Sequence, residues 1–204
     1  MALQNIHWLG HASFKLTGAK VIYIDPWQLK EAQPADIVLI THGHYDHCSP
    51  EDVAKIRTPH TTVLATSDCA EKLGGQVQVV RPGEQLTVQG ISIETVPAYN
   101  LNKTFHPRQE NGVGYILTLD GQRIYHAGDT DHIPEMDGLR VDVALLPAGG
   151  KYTMTATEAA EAANAMKPGV AVPMHWGTII GDRKDAERFR ELCKVPVQIL
   201  EPYK

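Results

Sequence analysis

Cysteine is scarce in this sequence, and the three that occur, Cys48, Cys69 and Cys193, are well separated and lack CxxC spacing. An odd number of scattered cysteines is not typical of a disulfide framework, so we expect none. Lysine and arginine form no block, and the formal net charge is −5. Because sequence-independent binding of nucleic acids depends on neutralising phosphates, we expect no nucleic-acid partner.

Long hydrophobic runs are missing as well. No uninterrupted apolar stretch approaches the ~20 residues that a membrane-spanning helix needs. The first eight residues, MALQNIHW, lack the basic start and the apolar stretch of a signal peptide. The sequence contains no linker, internal repeat or low-complexity tract. These features predict one domain over residues 1–204, located in the cytoplasm and without a membrane partner.

Short apolar or alternating runs, separated by glycine and proline, predict many strands. The predicted strands are 6–9, 12–16, 21–25, 37–41, 62–65, 77–80, 85–88, 91–96, 114–119, 123–127, 141–146, 170–174 and 197–200. Helices are predicted over 50–57, 67–73, 155–166 and 182–193. Two of them begin with clear capping patterns, Ser49 before Pro50, and Thr155 with Glu158. Because helices fall between strand groups in both halves, we expect an α/β fold of two packed sheets with helices on the outer faces.

The most informative stretch is Thr-His-Gly-His-Tyr-Asp-His-Cys at positions 41–48. It follows the apolar run 37–40, which predicts a buried strand, so the cluster lies where a strand gives way to a loop. Imidazoles and carboxylates are preferred ligands of Zn²⁺ and similar ions. In an extended segment His42 and His44 point the same way and can bind one ion. Asp46 and His47, past the strand end, can turn toward a second ion.

Completing two metal sites requires ligands from distant segments. Asp129 follows a predicted strand, with Gly128 allowing a sharp turn, and a carboxylate there can bridge two cations. His175 follows the strand predicted over 170–174. His106 lies in a polar loop. All three are candidate ligands.

This ligand pattern resembles the metallo-β-lactamase superfamily. The order is His42-x-His44-x-Asp46-His47, a later histidine, Ala-Gly-Asp129-Thr, and a strand ending in His175. Segments such as WLGH at 8–11, YHAGDT at 125–130, LPAGG at 146–150 and PMH at 173–175 are similar to metal-dependent hydrolases related to ascorbate-6-phosphate lactonase. The resemblance covers nearly the whole chain. It implies an αββα sandwich of two mixed sheets, with the site at one edge between them.

The resemblance also implies how the ligands divide. His42, His44 and a third histidine would bind one metal ion, and Asp46, His47 and His175 the other, with Asp129 bridging. Several relatives place the third histidine directly after Pro-Ala-x, where this chain has Asn100. We assign the role to His106, six residues further on, with Asn100, His11 or water as alternatives. Asp25 is expected to brace the metal loop from behind.

These observations predict a binuclear metal-dependent hydrolase that uses a metal-bridging hydroxide to cleave a small ester, lactone or phosphoester. The two ions are expected to be Zn²⁺, with Mn²⁺ or Fe²⁺ as alternatives. Asp46 would orient the nucleophile, and Asp46, His11, His132 or a metal-bound water would protonate the leaving group. The alternatives are a phosphodiesterase or ribonuclease on the same fold, a redox enzyme of the flavodiiron type, and a catalytically idle metal-binding scaffold.

The expected partner is a small-molecule substrate that could carry an anionic group. Lys103, Arg108 and Lys151 could flank the cleft and bind a phosphate or carboxylate. Ordinary surface charge is the other interpretation of these three residues, and it is the one that we favour, because exposed lysine and arginine are common.

Overall fold

The protein is described by a computed structural model covering residues 3–203. The ends of the predicted 1–204 domain, residues 1, 2 and 204, lie outside the described residues. Two six-stranded sheets, each built from consecutive strands, account for the strands of residues 3–203. No helix within these residues is long and apolar enough to cross a membrane.

The first sheet contains the N-terminal half of the chain, with its strands in sequence order. Its strands are β1 (Ile6–Gly10), β2 (Ser13–Leu16), β3 (Ile22–Ile24), β4 (Ile37–Ile40), β5 (Thr62–Ala65) and β6 (Gln78–Val79). β1, β2 and β3 pair antiparallel, and β3 to β6 pair parallel. Helices α1 (Pro50–Ile56) and α2 (Ser67–Leu73) form the crossovers between the parallel strands β4, β5 and β6.

The second sheet has its strands in the order β12-β11-β10-β9-β8-β7. Its strands are β7 (Gln85–Val88), β8 (Ile91–Pro97), β9 (Val113–Leu119), β10 (Gln122–His126), β11 (Val143–Pro147) and β12 (Val170–Met174). β7 to β10 are antiparallel, while β10, β11 and β12 are parallel. Helix α3 (Ala156–Met166) connects β11 to β12, and α4 (Arg183–Leu192) follows β12. Two short 3-10 helices, Arg108–Glu110 and Pro134–Met136, lie in loops.

The order of layers follows from alternation of side chains along the strands. In β4, Ile37 and Leu39 belong to the core between the sheets, whereas Val38 and Ile40 pack under α1 and α2. Successive side chains of a strand point to opposite faces, so a strand that is apolar throughout needs a partner layer on each side. A separate apolar cluster joins the second sheet to α3 and α4. The predicted αββα sandwich is confirmed.

The helix starts also agree with the capping patterns. The Ser49 side chain accepts a hydrogen bond from the Asp52 amide, and Thr155 and Glu158 form a reciprocal capping box. Both arrangements satisfy amide groups that the first turn of a helix leaves without partners.

The strand predicted over 197–200 is wrong. Only Val197 forms an isolated bridge, to Ala171 of β12. The Ala171 amide donates to the Pro196 carbonyl, and the Gln198 amide donates to the Ala171 carbonyl. The next bond of this parallel ladder would need an amide hydrogen from Pro173 of β12, and extension in the other direction would need one from Pro196. Proline has no amide hydrogen, so the pairing cannot extend into a ladder.

Three strand ends bring the candidate residues to one edge of the sandwich. β4 ends just before His42, β10 ends at His126 before Asp129, and β12 ends just before His175. β4 belongs to the first sheet and the other two to the second, so the site lies between the sheets. The His11 carbonyl connects the two sheets here, because it accepts a hydrogen bond from the His175 amide, which follows β12. The same carbonyl also accepts a hydrogen bond from the Trp8 indole of the first sheet.

Candidate metal centre

Three histidine rings form the first group of the site. His42 Nε2 lies 3.0 Å from His44 Nδ1, and His106 Nε2 lies 2.9 Å from the same atom. His42 and His106 are buried and His44 is partly buried. The structure therefore brings His106, from the loop after β8, into contact with the two histidines of the 42–47 segment.

The neighbours of these rings fix which nitrogen carries the proton. Thr41 Oγ1 donates to Asp25 at 2.6 Å, so its lone pair is available to His42 Nδ1–H at 3.0 Å. His106 Nδ1 lies 3.2 Å from the Tyr152 carbonyl, which can only accept. Neutral His42 and His106 therefore each turn an unprotonated Nε2 toward His44 Nδ1. Nitrogen lone pairs converging in this way are what a divalent cation requires.

The second group contains Asp46, His47 and His175, together with His11. Their ligand atoms all lie within 4.8 Å of one another. His11 Nε2 is 2.9 Å from Asp46 Oδ2, and the His11 and His175 rings lie 3.9 Å apart. His11 is thus a neighbour of the second group, and the structure does not place it with the first group, where the sequence left it as an alternative third ligand.

Asp129 lies between the two groups. Its Oδ2 is 3.4 Å from His106 Nε2 and 3.1 Å from His175 Nε2, and its Oδ1 is 3.3 Å from His47 Nε2. One carboxylate therefore faces rings of both groups. All seven residues that the sequence singled out as ligands converge at this edge.

The charges of the site are mutually dependent. Burial alone would lower the pKa of His47, but Asp129 and Asp25 raise that pKa well above its usual value. Burial alone would raise the pKa of Asp129, but His175 and His47 hold it well below its usual range. The pKa of His42 is lowered well below its usual value by burial and by His47. The buried carboxylates of Asp25 and Asp129 thus require a positive charge at or beside His47. A proton or a metal ion can supply that charge.

The donor set fits divalent metal ions. His47 Nε2, Asp129 Oδ1 and both ring nitrogens of His175 are buried without a hydrogen-bond partner among residues 3–203. Buried polar atoms are normally paired, because leaving one unpaired costs about 1–3 kcal/mol. Imidazole and carboxylate ligands oriented toward one another suit Zn²⁺, Mn²⁺ or Fe²⁺. The four unpaired atoms are three imidazole nitrogens and one carboxylate oxygen, and atoms of both kinds bind these ions.

Asp25 braces the metal-binding segment, as the sequence suggested. Its carboxylate accepts hydrogen bonds from the Thr41 amide at 2.8 Å and from His47 Nδ1 at 2.7 Å. The residue is fully buried and has a positive φ of 45°. His11, His106 and His175 also have positive φ values, of 51°, 56° and 59°. Residues other than glycine rarely adopt this backbone conformation. The surrounding structure therefore holds these four residues in a strained backbone conformation.

Asp25→Asn is expected to weaken metal binding by roughly 10–100-fold, the usual cost of losing a partner of a metal ligand. An amide NH₂ in place of Oδ2 cannot accept from His47 Nδ1–H. His47 would then carry its proton on Nε2, the atom that faces Asp129. Competition with a chelator of known affinity measures the change.

Ser13→Ala is the matched control for Asp25→Asn. The Ser13 hydroxyl donates to the Asp25 backbone carbonyl and not to its carboxylate. This variant is expected to lose stability without losing metal affinity. Equal metal affinities for Asp25→Asn and the wild type would contradict the bracing role.

Asn100 supports the loop that carries His106, a role that the sequence did not reveal. Its amide NH₂ donates to the carbonyls of Phe105 at 2.8 Å and Tyr152 at 2.7 Å, and its backbone amide donates to the His106 carbonyl. Asn100, the position at which the resemblance led us to expect a histidine, therefore holds the loop of His106 in place. Only the spacing of six residues within one loop could have suggested this link.

His126 joins the two sheets beneath the site. Its Nε2 lies 2.8 Å from the Ala12 carbonyl, and its Nδ1 accepts from the Gly128 amide at 3.2 Å. Both contacts require the neutral ring, and burial lowers the pKa of His126 below its ordinary value. The ring therefore holds the first sheet against the turn that leads to Asp129.

His126→Ala is expected to lower the free energy of unfolding by about 1–3 kcal/mol, since it leaves buried groups unpaired. In the wild type the folded state keeps this ring neutral, whereas the unfolded chain binds a proton below a pH of about 6.5. The contribution of His126 to the free energy of unfolding is therefore fully present above that pH and declines as the pH falls below it. Urea denaturation of both proteins at pH 7.5 and 5.5 tests this. The stability difference between wild type and variant should narrow at the lower pH, and an unchanged difference would contradict it.

The remaining candidates of the sequence lie outside this site. Lys103 pairs with buried Asp131, and Arg108 pairs with Glu135 at 2.9 Å. The Lys151 ammonium lies over the Tyr152 ring. His132 lies 3.1 Å from Asp137.

A cleft of about 210 Å³ opens onto the two groups. Its lining residues are His44, Tyr45, Asp46, Phe105, His106, Asp129, Tyr152, His175 and Ile179. A second cleft of about 180 Å³ also reaches the first group, beside Asp68, Lys72 and Glu110. All seven candidate ligands except His47 line one of these two clefts.

An αββα sandwich with histidine and aspartate groups at one edge, between the sheets, defines the class of metallo-β-lactamase-fold proteins. The family model described as "Beta-lactamase superfamily domain" matches residues 5–175. A UPF0173 metal-dependent hydrolase of Thermoplasma acidophilum is 37% identical over 205 residues, covering 92% of this chain and 90% of the relative. The chain belongs to the β-lactamase superfamily and, within it, to the UPF0173 metal-dependent hydrolases.

Solved structures agree with this membership. A crystal structure from Parabacteroides distasonis, described as a "Putative metal-dependent hydrolase", has a TM-score of 0.85 and 35% identity, covering 98% of this chain and 93% of the other. A metallo hydrolase of the archaeon Ignicoccus hospitalis has a TM-score of 0.80 and 27% identity, covering 98% and 95%.

Proposed function

We propose that this protein is a binuclear metal-dependent hydrolase of small esters or lactones, with phosphoesters as the alternative substrates. One observation carries the proposal: Asp129 lies within 3.4 Å of ring nitrogens from both histidine groups. A carboxylate placed in this way suits a bridge between two ions. The hydrolase names of the relatives support the reaction class.

The first ion would be held by His42, His44 and His106, and the second by Asp46, His47 and His175, with Asp129 shared. Zn²⁺ is the proposed metal, with Mn²⁺ and Fe²⁺ as alternatives, since imidazole and carboxylate ligands accept all three. Bound there, such ions supply water that is nucleophilic near neutral pH and polarise the bond under attack. In ester hydrolysis the water oxygen bonds to the acyl carbon, the acyl C–O bond breaks, and a proton passes to the leaving alcohol.

Asp46 is the protein group best placed to handle that proton. It lines the cleft, whereas His11 is almost fully buried behind it and contacts it through Nε2. Burial lowers the pKa of His11 in spite of its hydrogen bond to Asp46. We therefore assign proton transfer to Asp46 and a positioning role to His11, which restrains the carboxylate through their 2.9 Å contact.

The experiment is hydrolysis of a neutral ester, a lactone and a phosphodiester by protein purified with its native metal, before and after chelation. The expected result is turnover of the ester or lactone, lost on chelation and restored by Zn²⁺ or Mn²⁺. His11→Gln should lower kcat while the metal content stays unchanged. A protein with bound metal that turns over none of the three substrates would favour an idle scaffold, and preference for the phosphodiester would favour the phosphodiesterase alternative.

A further inference from the structure

The mouth of the cleft is apolar. Among residues 3–203, six large hydrophobic side chains are exposed, and three of them, Tyr45, Phe105 and Ile179, line this one cleft. Tyr45 is 69% exposed and Phe105 is 46% exposed. Single exposed apolar residues are common, but a group of them rimmed by polar residues marks a binding site. The inner end of the cleft is formed by the polar candidate ligands. The apolar side chains therefore face the part of a ligand that lies away from the reacting bond.

These side chains come from three separate segments. Tyr45 lies in the segment after β4, Phe105 in the loop after β8, and Ile179 in the loop between β12 and α4. Phe105 packs edge-on against Tyr152, with the ring centroids 4.8 Å apart. An edge-to-face pair of this kind leaves ring surface available for a further aromatic or aliphatic group. The apolar rim therefore surrounds the entrance and is not the exposed end of one loop.

Positive charge is missing from the same cleft. Within the described part of the chain no lysine or arginine lines it. Lys103 is paired with Asp131 and Arg108 with Glu135, and the Lys151 ammonium lies over the Tyr152 ring. An anionic group entering here would have the proposed metal ions as its only cationic partners, with Asp46 and Asp129 beside them. The part of the ligand that lies away from the metal ions is therefore expected to be uncharged.

We infer that the substrate is an uncharged carboxylic ester or lactone that carries an apolar group, of about the size of a phenyl ring, bound between Phe105, Ile179 and Tyr45. This inference rests on the proposed function and narrows it to substrates with an apolar group beside the reacting bond. The cleft, at about 210 Å³, is smaller than the roughly 300–1,000 Å³ of sites for drug-sized ligands. One ring with its ester group is therefore the appropriate scale.

Hydroxamates provide a binding test that does not depend on turnover, because the hydroxamate group binds divalent metal ions whatever its substituent. The probes are acetohydroxamate, benzohydroxamate and succinate monohydroxamate, titrated calorimetrically into metal-loaded protein. Benzohydroxamate is expected to bind roughly tenfold or more tightly than acetohydroxamate, as burial of a ring predicts. Succinate monohydroxamate, with its additional carboxylate, should bind no more tightly than acetohydroxamate.

The variants Phe105→Ala and Ile179→Ala should each reduce the benzohydroxamate advantage about fivefold and change acetohydroxamate binding less than twofold. Val79→Ala removes an exposed apolar side chain outside the cleft and is the matched control. Glu110→Gln tests the second, polar cleft. Both controls should retain the full advantage of the ring.

Three outcomes would overturn the inference. Tightest binding of the succinate probe would indicate an anionic substrate and leave the hydrolase proposal intact. A ring preference that is sensitive to Glu110→Gln but not to Phe105→Ala or Ile179→Ala would place the substrate in the other cleft. Protein that binds no divalent metal would refute the proposed function and this inference together, and the metal content of the same sample distinguishes that failure from the other two.

Discussion

Asp129→Asn is expected to lower kcat by at least about three orders of magnitude and to reduce the metal content of the purified protein. The Asp129 carboxylate faces His106 and His175 through one oxygen and His47 through the other. The asparagine amide keeps one acceptor oxygen, but its NH₂ group cannot bind a metal ion. One of the two histidine groups would therefore lose the carboxylate oxygen that it shares with the other. Loss of one preorganised electrostatic group alone typically costs about 10²–10³ in kcat, and here the metal ions themselves are lost as well.

Asp120→Asn is the control for this change, since Asp120 is an exposed residue in the turn between β9 and β10, remote from the site. Metal content measured by plasma mass spectrometry and kcat measured on a neutral ester should both match the wild type. A protein with Asp129→Asn that retains two ions per chain would contradict the bridging role, whatever its activity.

His106→Ala is expected to reduce the metal content from two ions per chain to one and to lower kcat/KM by roughly 10²–10³-fold. His42 and His44 would remain but lack the third ring nitrogen, which lies 2.9 Å from His44 Nδ1. The second group shares no residue with the first apart from Asp129 and should retain its ion. Metal analysis together with steady-state kinetics measures both effects.

His60→Ala is the matched control for His106→Ala, because His60 is exposed and lies at the end of the α1–β5 loop. Its metal content and kinetics should be those of the wild type. If His106→Ala still bound two ions, the third ligand of the first site would have to come from elsewhere, and Asn100 would be the next candidate to test.

Most of the fold could be predicted because local patterns and tertiary packing agree. β5, β7, β12 and α2 have the predicted boundaries, and most other elements differ by one or two residues at an end. Capping residues and glycine or proline turns define such ends locally. The segment at 197–200 has the alternating pattern of a strand but only one bridged residue. Whether a terminal segment pairs depends on the edge that it meets, which its own residues do not encode.

The candidate ligands could be predicted because they cluster in the sequence or directly follow strands. His42, His44, Asp46 and His47 are close in the chain, and Asp129 and His175 follow the ends of β10 and β12. Parallel strands of the two halves end at one edge of the sandwich, so these residues meet there.

The supporting contacts could not be predicted in the same way. The hydrogen bond of Asn100 to the Tyr152 carbonyl joins two loop segments that are 52 residues apart in the chain. The ion pairs that neutralise Lys103 and Arg108 likewise depend on tertiary positions. A sequence shows that such charges exist, and only the folded chain shows whether they face a ligand.

A crystal structure of protein purified with its native metal, with anomalous diffraction to locate the ions, is the decisive test of the proposed metal centre. We expect two anomalous peaks, one among His42, His44 and His106 and the other among Asp46, His47 and His175, with Asp129 in contact with both. A structure in which all seven ligand side chains are well defined, but with no anomalous peak at this edge, would contradict the proposed metal centre. A single peak that Asp129 does not contact would contradict it as well.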